Sequence, residues 1–193
     1  MSMNELESKV SELRELRRMA DELAAETAAI THGHKLAFLP AEVCVHIINL
    51  LVYYDDMTII KALNDAQKVL AGKYGAVWEI ADDMMELQRL LDLALDFAMQ
   101  DRDDLEVFET LGQGWSGEET LAIAVYCSIK YQYDFEKAII AAANHNGDSD
   151  STAAVTGNIL GAYLGFDAIP QKFIDNLELI DTIMDMADEL YYA

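Results

Sequence analysis

The residues best suited to chemistry lie together in one short segment, Asn144-His145-Asn146-Gly147-Asp148-Ser149-Asp150-Ser151-Thr152. Two carboxylates alternate with hydroxyls there, just ahead of a stretch with helical spacing. Oxygen ligands of this kind suit hard cations such as Mg²⁺, Mn²⁺ or Ca²⁺. The free N–H groups at a helix start would hold the carboxylates in place. A plain N-terminal cap needs no metal and favours the same residue types. The residues alone leave both readings open. Counting excludes two related patterns. A calcium-binding EF loop starting at Asp148 requires Gly at its sixth position and Glu at its twelfth, where this chain has Ala153 and Ile159. A phosphatase nucleophile motif, Asp148-x-Asp150-x-Thr152, would have to end an apolar strand, and the preceding Ala141-Ala142-Ala143 favours helix.

The elements that must position this segment read as helix after helix. Over 3–30, Val10, Leu13, Leu16, Met19, Ala20, Leu23 and Ala24 recur at three- and four-residue spacing, which predicts an amphipathic helix. Residues 35–54 are largely apolar and predict a central helix buried on most sides, with His46 a satisfied core histidine. A helix over 56–72 should close at Gly72 as its C-cap. Residues 77–99 place Met84, Leu87, Leu90 and Leu91 on one face. Residues 101–116, charged and then glycine-rich, read as loop. Helices follow over 117–131, 134–145, 151–164 and 176–191. Strict alternation is nearly absent, and Asn146-Gly147 joins two helix-like segments. A single all-α domain over 1–193 is expected. Gly157, Gly161 and Gly165 each cost a helix about 1 kcal/mol against Ala. They predict close backbone packing at the middle of the fold.

Composition bounds the partners. The chain has 193 residues, a net charge of −22 and 52% hydrophobic residues. That apolar fraction supports a packed core rather than disorder. Thirteen Lys and Arg are too few to neutralise a phosphate backbone, and an anionic membrane surface is disfavoured by the same sign. Most of the negative charge falls in 79–109 and 175–190, which read as solvated helix faces. No run of about 18 uninterrupted apolar residues occurs, so no membrane span is expected. Cys44 and Cys127 sit in apolar runs and read as buried reduced thiols. With no signal-like start, a cytoplasmic location is expected.

With its flanks, the acidic segment resembles the ADP-ribosylglycohydrolases. Gly147-Asp148-Ser149-Asp150-Ser151-Thr152 precedes an Ala/Gly-rich helix ending Gly161-Ala162-Tyr163-Leu164-Gly165. Ala29-Ile30-Thr31-His32-Gly33-His34 is similar to the family's Thr-His segment. Gly112-Gln113-Gly114-Trp115, then Glu118-Glu119-Thr120-Leu121-Ala122, is similar to the glycine loop and helix ahead of the metal motif, and Ile169-Pro170 with Leu177-Glu178 to the C-terminal close. The resemblance runs from about residue 20 to the end. It covers the C-terminal portion of the family pattern, and the family's earlier Gly-Asp-Ala-x-Gly stretch, glutamate and Thr-Asp-Asp motif do not occur in this sequence. The resemblance implies an all-α fold around a binuclear Mg²⁺ or Mn²⁺ site. It implies hydrolysis of the glycosidic bond joining ADP-ribose to a protein side chain or small acceptor. Asp148, Asp150 and Ser151 match the family's metal ligands, about half of a binuclear set, with the two aspartates catalytic. His32, Gly114 and Trp115 match substrate-side positions, although His32 also reads as a helix-boundary residue and Trp115 as a loop tryptophan packed on the core. His145 is expected to orient the metal loop. The alternative is a non-catalytic binding or assembly module on the same fold. A homodimer or a complementary partner chain, with the 3–30 helix contributing, is expected from uncovered apolar surface.

Overall fold

A computed structural model describes residues 3–192, with the side chains of 3, 4, 6, 191 and 192 excepted. Among the described residues it holds ten α-helices and no strand, the all-α class that the periodicity predicts, with two short helices, at 104–111 and 171–174, added to the eight expected. They are α1 (Met3–Thr31), α2 (Lys35–Tyr53), α3 (Ile59–Tyr74), α4 (Trp78–Ala98), α5 (Asp104–Leu111), α6 (Gly117–Lys130), α7 (Phe135–Ala143), α8 (Ser149–Leu164), α9 (Gln171–Ile174) and α10 (Ile180–Tyr192). A short 3-10 turn, Phe166–Ala168, precedes α9.

The centre of the bundle is α6. Every residue from Leu121 to Ile129 is buried, and α6 packs on α2, α4, α5, α7 and α8. A helix that is apolar all round belongs inside. The expectations had placed 35–54 and 151–164 there. Helix α2 instead buries one face, through Leu39, Val43, Ile47 and Leu50. It is long and apolar enough to cross a membrane, with a mean hydropathy of 1.8, even though polar residues interrupt its apolar run. Its buried Glu42 and His46 are paired with Lys73, Asp21 and Asp65, which marks it as a core helix. In α8 the glycines are not needed for close packing. A Cβ on Gly157 would meet Ile139 at an ordinary 3.6 Å, and one on Gly161 would meet nothing.

Two further boundaries differ from expectation. Helix α3 runs through Gly72 and is capped at Gly75, whose N–H donates to Ala71. The segment read as loop over 101–116 contains α5, capped by Asp103, whose carboxylate accepts from the N–H groups of Leu105 and Glu106. Its charges hid a buried triplet, Val107, Phe108 and Leu111. Asp104 ties α5 to α6 by accepting from Lys130 at 2.6 Å, Tyr126 at 2.7 Å and Tyr131 at 2.8 Å. Burial pushes its carboxyl up, but these three donors outweigh that and hold it below the usual range.

Among the described residues, α1 packs to any extent only on α2. The apolar stripe expected to face the core faces out instead: Leu13, Leu16, Met19 and Leu23 are exposed. The inward face carries Ala25 and a buried Asp21, which accepts from His46 Nδ1 at 2.7 Å. His46 Nε2 donates to Asp65 of α3 at 3.0 Å, so one imidazole joins three helices. Burial lowers the pKa of His46, but the hydrogen bonds and charges of Asp21 and Asp65 outweigh it and hold the imidazolium above its ordinary value. Tyr53, Tyr54, Asp55 and Asp56 form the exposed end of α2 and the turn after it. The acids of 79–109 are exposed or half-buried, none fully buried. Both cysteines are free, Cys127 buried and Cys44 partly so, and burial pushes the Cys44 thiol up to about 11.

Candidate active site

The acidic segment begins where α7 stops. Asn144 closes α7, its Nδ2 donating to Ile140 at 2.6 Å. The next residue holds the loop. His145 Nδ1 accepts from the Gly147 N–H at 3.1 Å, which leaves the proton on Nε2, 2.9 Å from Thr152 Oγ1. Thr152 Oγ1 donates in turn to the Ala142 carbonyl at 2.7 Å. One imidazole and one buried hydroxyl thus tie the end of α7 to the start of α8. Phe108 of α5 packs on the same ring, with centroids 5.2 Å apart. His145 therefore orients the loop, in line with its expected role.

The glycine loop presses on this segment from the other side. Gly112 and Gly114 take φ of 114° and 78°, where L side chains are strained. Glu119 folds the loop by accepting from the N–H groups of Gln113 at 3.1 Å and Gly114 at 3.0 Å. Gln113 then accepts from the Asp148 N–H at 2.8 Å. A Cβ on Gly114 would lie 2.7 Å from Thr152 Cγ2, and one on Gly147 would run into the Gln113 carbonyl. The two loops meet backbone to backbone because both contact positions are glycine.

This junction aims the carboxylates. Helix α8 starts at Ser149, two residues earlier than expected, so Asp148 is its N-cap and Asp150 and Ser151 lie in its first turn. Asp148 makes no side-chain cap bond. The side chain of Asp148 lies against the Asp150 carboxyl, with the backbone N–H groups of Asp150 and Ser151 beside it, and together they hold Asp150 below the usual carboxylate range. Two facing carboxylates repel unless a proton or a cation sits between them. With the Ser151 hydroxyl beside it, this set of oxygens is of the kind that suits a hard divalent cation, and the same residue types suit a plain helix cap. Among the described residues no group of three or more His, Cys, Asp and Glu converges in a way that could hold a metal ion.

The residues expected on the substrate side lie next to it. His32 and Trp115 line one cleft of about 540 Å³, together with His34, Leu36, Ala37 and Glu118. Gly114 connects this cleft to the carboxylates, its would-be Cβ 3.7 Å from that of Asp148. Trp115 is not packed on the core. It is 70% exposed, and its Nε1 donates to Gln113 Oε1 at 3.3 Å. His32 stands just past the end of α1 and bonds Thr31 Oγ1 through Nδ1 at 2.8 Å. His34 is the N-cap of α2, accepting from the Leu36 N–H at 3.3 Å. Glu118 was not singled out from the sequence. Its Oε2 is buried with no hydrogen-bond partner, an uncommon state for a carboxylate. The signal lay in the pair Glu118-Glu119, where Glu119 is consumed by the glycine loop and Glu118 is left over.

Residues 12–193 match the ADP-ribosylglycohydrolase family. The chain is similar to the ADP-ribosylarginine hydrolase Tri1 of Serratia proteamaculans, 42% identical over 59 residues, or 31% of this chain and 16% of that protein. It is similar to an uncharacterised protein of Archaeoglobus fulgidus, 37% identical over 93 residues, or 48% of this chain and 30% of the other. It is also similar to the human ADP-ribosylhydrolase ARH3, 26% identical over 96 residues, or 45% of this chain and 26% of ARH3. The chain spans less than a third of the length of each of these curated relatives. With nearly its whole length matched and an all-α bundle presenting the Asp148–Ser151 segment, this chain belongs to the ADP-ribosylglycohydrolase family.

Proposed function

We propose that this domain serves hydrolysis of the glycosidic bond between ADP-ribose and a protein side chain or small acceptor. Asp148, Asp150 and Ser151 would hold Mg²⁺ or Mn²⁺. The observation that carries the reading is the pairing of Asp148 with Asp150 at the start of α8, where Asp148 forgoes the cap bond its position offers. A divalent cation bound there supplies Lewis acidity and orients a water. The chain's own residues do the rest. The first-turn N–H groups of α8 keep Asp150 ionised and aimed. Trp115 offers an exposed ring on which a nucleobase can stack. His32 faces the same cleft and suits a phosphate oxygen, and the unpartnered Glu118 Oε2 suits a ribose hydroxyl. In a chain of net −22, an anionic substrate needs a cation between it and the carboxylates.

The test uses the purified chain with Mn²⁺ or Mg²⁺ and an ADP-ribosylarginine substrate. A cation-dependent rise in melting temperature, lost in Asp148→Ala, and release of free ADP-ribose support the reading. Neither shift nor release sinks it. The partial ligand set favours a second reading, a non-catalytic module that binds ADP-ribose-containing partners. ADP-ribose binding that survives Asp148→Ala, with no turnover, selects that one.

A further inference from the structure

Among the described residues, two surfaces of opposing charge bias lack a partner within the fold. One is a groove of about 790 Å³ between α1, α2 and α3. Val10, Leu13, Leu50, Tyr54, Met57 and Val69 give it apolar walls. Arg14, Arg17, Arg18, Lys61 and Lys73 line it as well, against three acids, Asp21, Glu42 and Asp65, which leaves an excess of positive charge. Arg18 also pairs with Glu15 and Glu22, and Lys73 with Glu42, so the excess rests mainly on Arg14, Arg17 and Lys61. The other surface is α10. Between Ile180 and Leu190 it carries Asp181, Asp185, Asp188 and Glu189 and no Lys or Arg. Its apolar residues Ile180, Ile183, Ala187 and Leu190 recur at three- and four-residue spacing. Among the described residues α10 packs extensively along no other helix, and Ile183, Met186 and Leu190 are exposed. An acidic amphipathic helix without a groove and a basic-lined apolar groove without a helix are complementary in shape class and in charge.

We propose that α10 of a second copy of this chain lies in the α1–α3 groove, with the reciprocal contact closing a two-fold dimer. Ile183, Ala187 and Leu190 meet the apolar walls. The acids meet Arg14, Arg18 and Lys61 at the rim. A second copy fits better than the chain's own α10. Helix α10 hangs from α9 by residues 175–179, and α9 is moored to α7 by the Lys172–Glu136 ion pair and by Phe173 against Phe135. Helix α7 packs on α6 and α8, and α8 packs on α2, so α8 and α2 stand between that mooring and the groove. With helix axes about 8–10 Å apart, the path is roughly 25 Å. Five extended residues reach about 17 Å. Two copies of net −22 repel as wholes, so a stable contact has to set a groove with excess positive charge against an acid helix. A reciprocal contact of this kind leaves no open end and stops at two copies.

The experiment mixes isotope-labelled and unlabelled full-length chain and applies zero-length carboxyl-to-amine cross-linking. Sedimentation is followed over a concentration series in parallel. The expected result is a dimer with mixed-isotope links from Lys61 or Lys73 to Asp185, Asp188 or Glu189. The double variant Ile183→Asp/Leu190→Asp should weaken the dimer at least tenfold with helix content unchanged. Arg14→Glu/Arg18→Glu should also weaken it, and adding Asp185→Arg/Asp188→Arg should restore it. A monomer at all concentrations overturns the proposal. So do links confined to single-isotope chains, which would put each α10 in its own groove. So does a dimer untouched by the α10 variants, which would place the contact elsewhere, such as on the outer stripe of α1.

Discussion

Helix α4 turns Met84, Leu87, Leu90 and Leu91 into the bundle at 0–6% exposure, whereas α1 leaves Leu13, Leu16, Met19 and Leu23 at 54–64%. Both segments carry apolar residues at helical spacing. One stripe finds α6, α2 and α3 opposite it, and among the described residues no helix covers the other. What seats α1 is its opposite face, Ala25 and the Asp21–His46–Asp65 chain. The two attachments differ in kind. That of α4 is non-directional and scales with area removed from water. That of α1 is polar, concentrated in a few bonds, and responsive to protonation. An apolar stripe shows that a face is meant for covering, and the covering element can lie outside the fold.

The largest break of this comparison is expected in the core. Leu91→Ala should cost about 2–5 kcal/mol in denaturant unfolding, while Leu23→Ala, measured at dilution, should stay within about 0.5 kcal/mol. Equal losses would mean that the outer stripe of α1 is covered within one chain. Next, Asp21→Ala should cost about 2 kcal/mol, the usual worth of a hydrogen bond to a charged group. The loss should appear as faster proteolysis within α1, with amide exchange in α6 unchanged. Slowed exchange or an unaffected α1 would refute the polar seat.

The effect of pH should be smaller and confined to the same helix. His46 is held above its ordinary value between Asp21 of α1 and Asp65 of α3, with Glu42, itself paired to Lys73 of α3, lining the same groove. A raised folded-state pKa gives stability that is fully present below the unfolded value near 6.5 and is lost as pH rises through the folded value. Protection of α1 amides should therefore fall with rising pH while α4 stays flat, and His46→Gln should abolish the difference. The smallest change is a gain. Gly161→Ala should stabilise by about 0.5–1 kcal/mol, because a Cβ there meets nothing and the site is helical. A loss would show that this side of α8 is closely packed after all.

Much of the helix order was legible because a 3.6-residue period survives in single segments. Helix α5 was missed because Asp104, Glu106 and Glu109 sit among Val107, Phe108 and Leu111 in only eight residues, too short for the period to outweigh the charge. Gly72 was read as a stop and lies inside α3, since glycine marks an end only where the chain needs its freedom, and a helical position does not. At the site, Asp148, Asp150 and Ser151 were legible as oxygen donors, and His145 as their support. Glu118 was not, because two adjacent glutamates look alike until one of them is seen folding a glycine loop and the other is left unpaired.

The sequence by itself determined the all-α class, the family and the run of oxygen donors at 148–151, because these depend on residue type and short-range spacing. Tertiary structure alone decided which helix is central, which apolar stripe is left uncovered, and how the two loops meet. Those outcomes rest on what lies opposite each face. The bond from Asp148 to Gln113 spans 35 positions along the chain, and the one from His46 to Asp21 spans 25. Only the folded chain brings such residues together, and local propensity carries no record of a partner that far away.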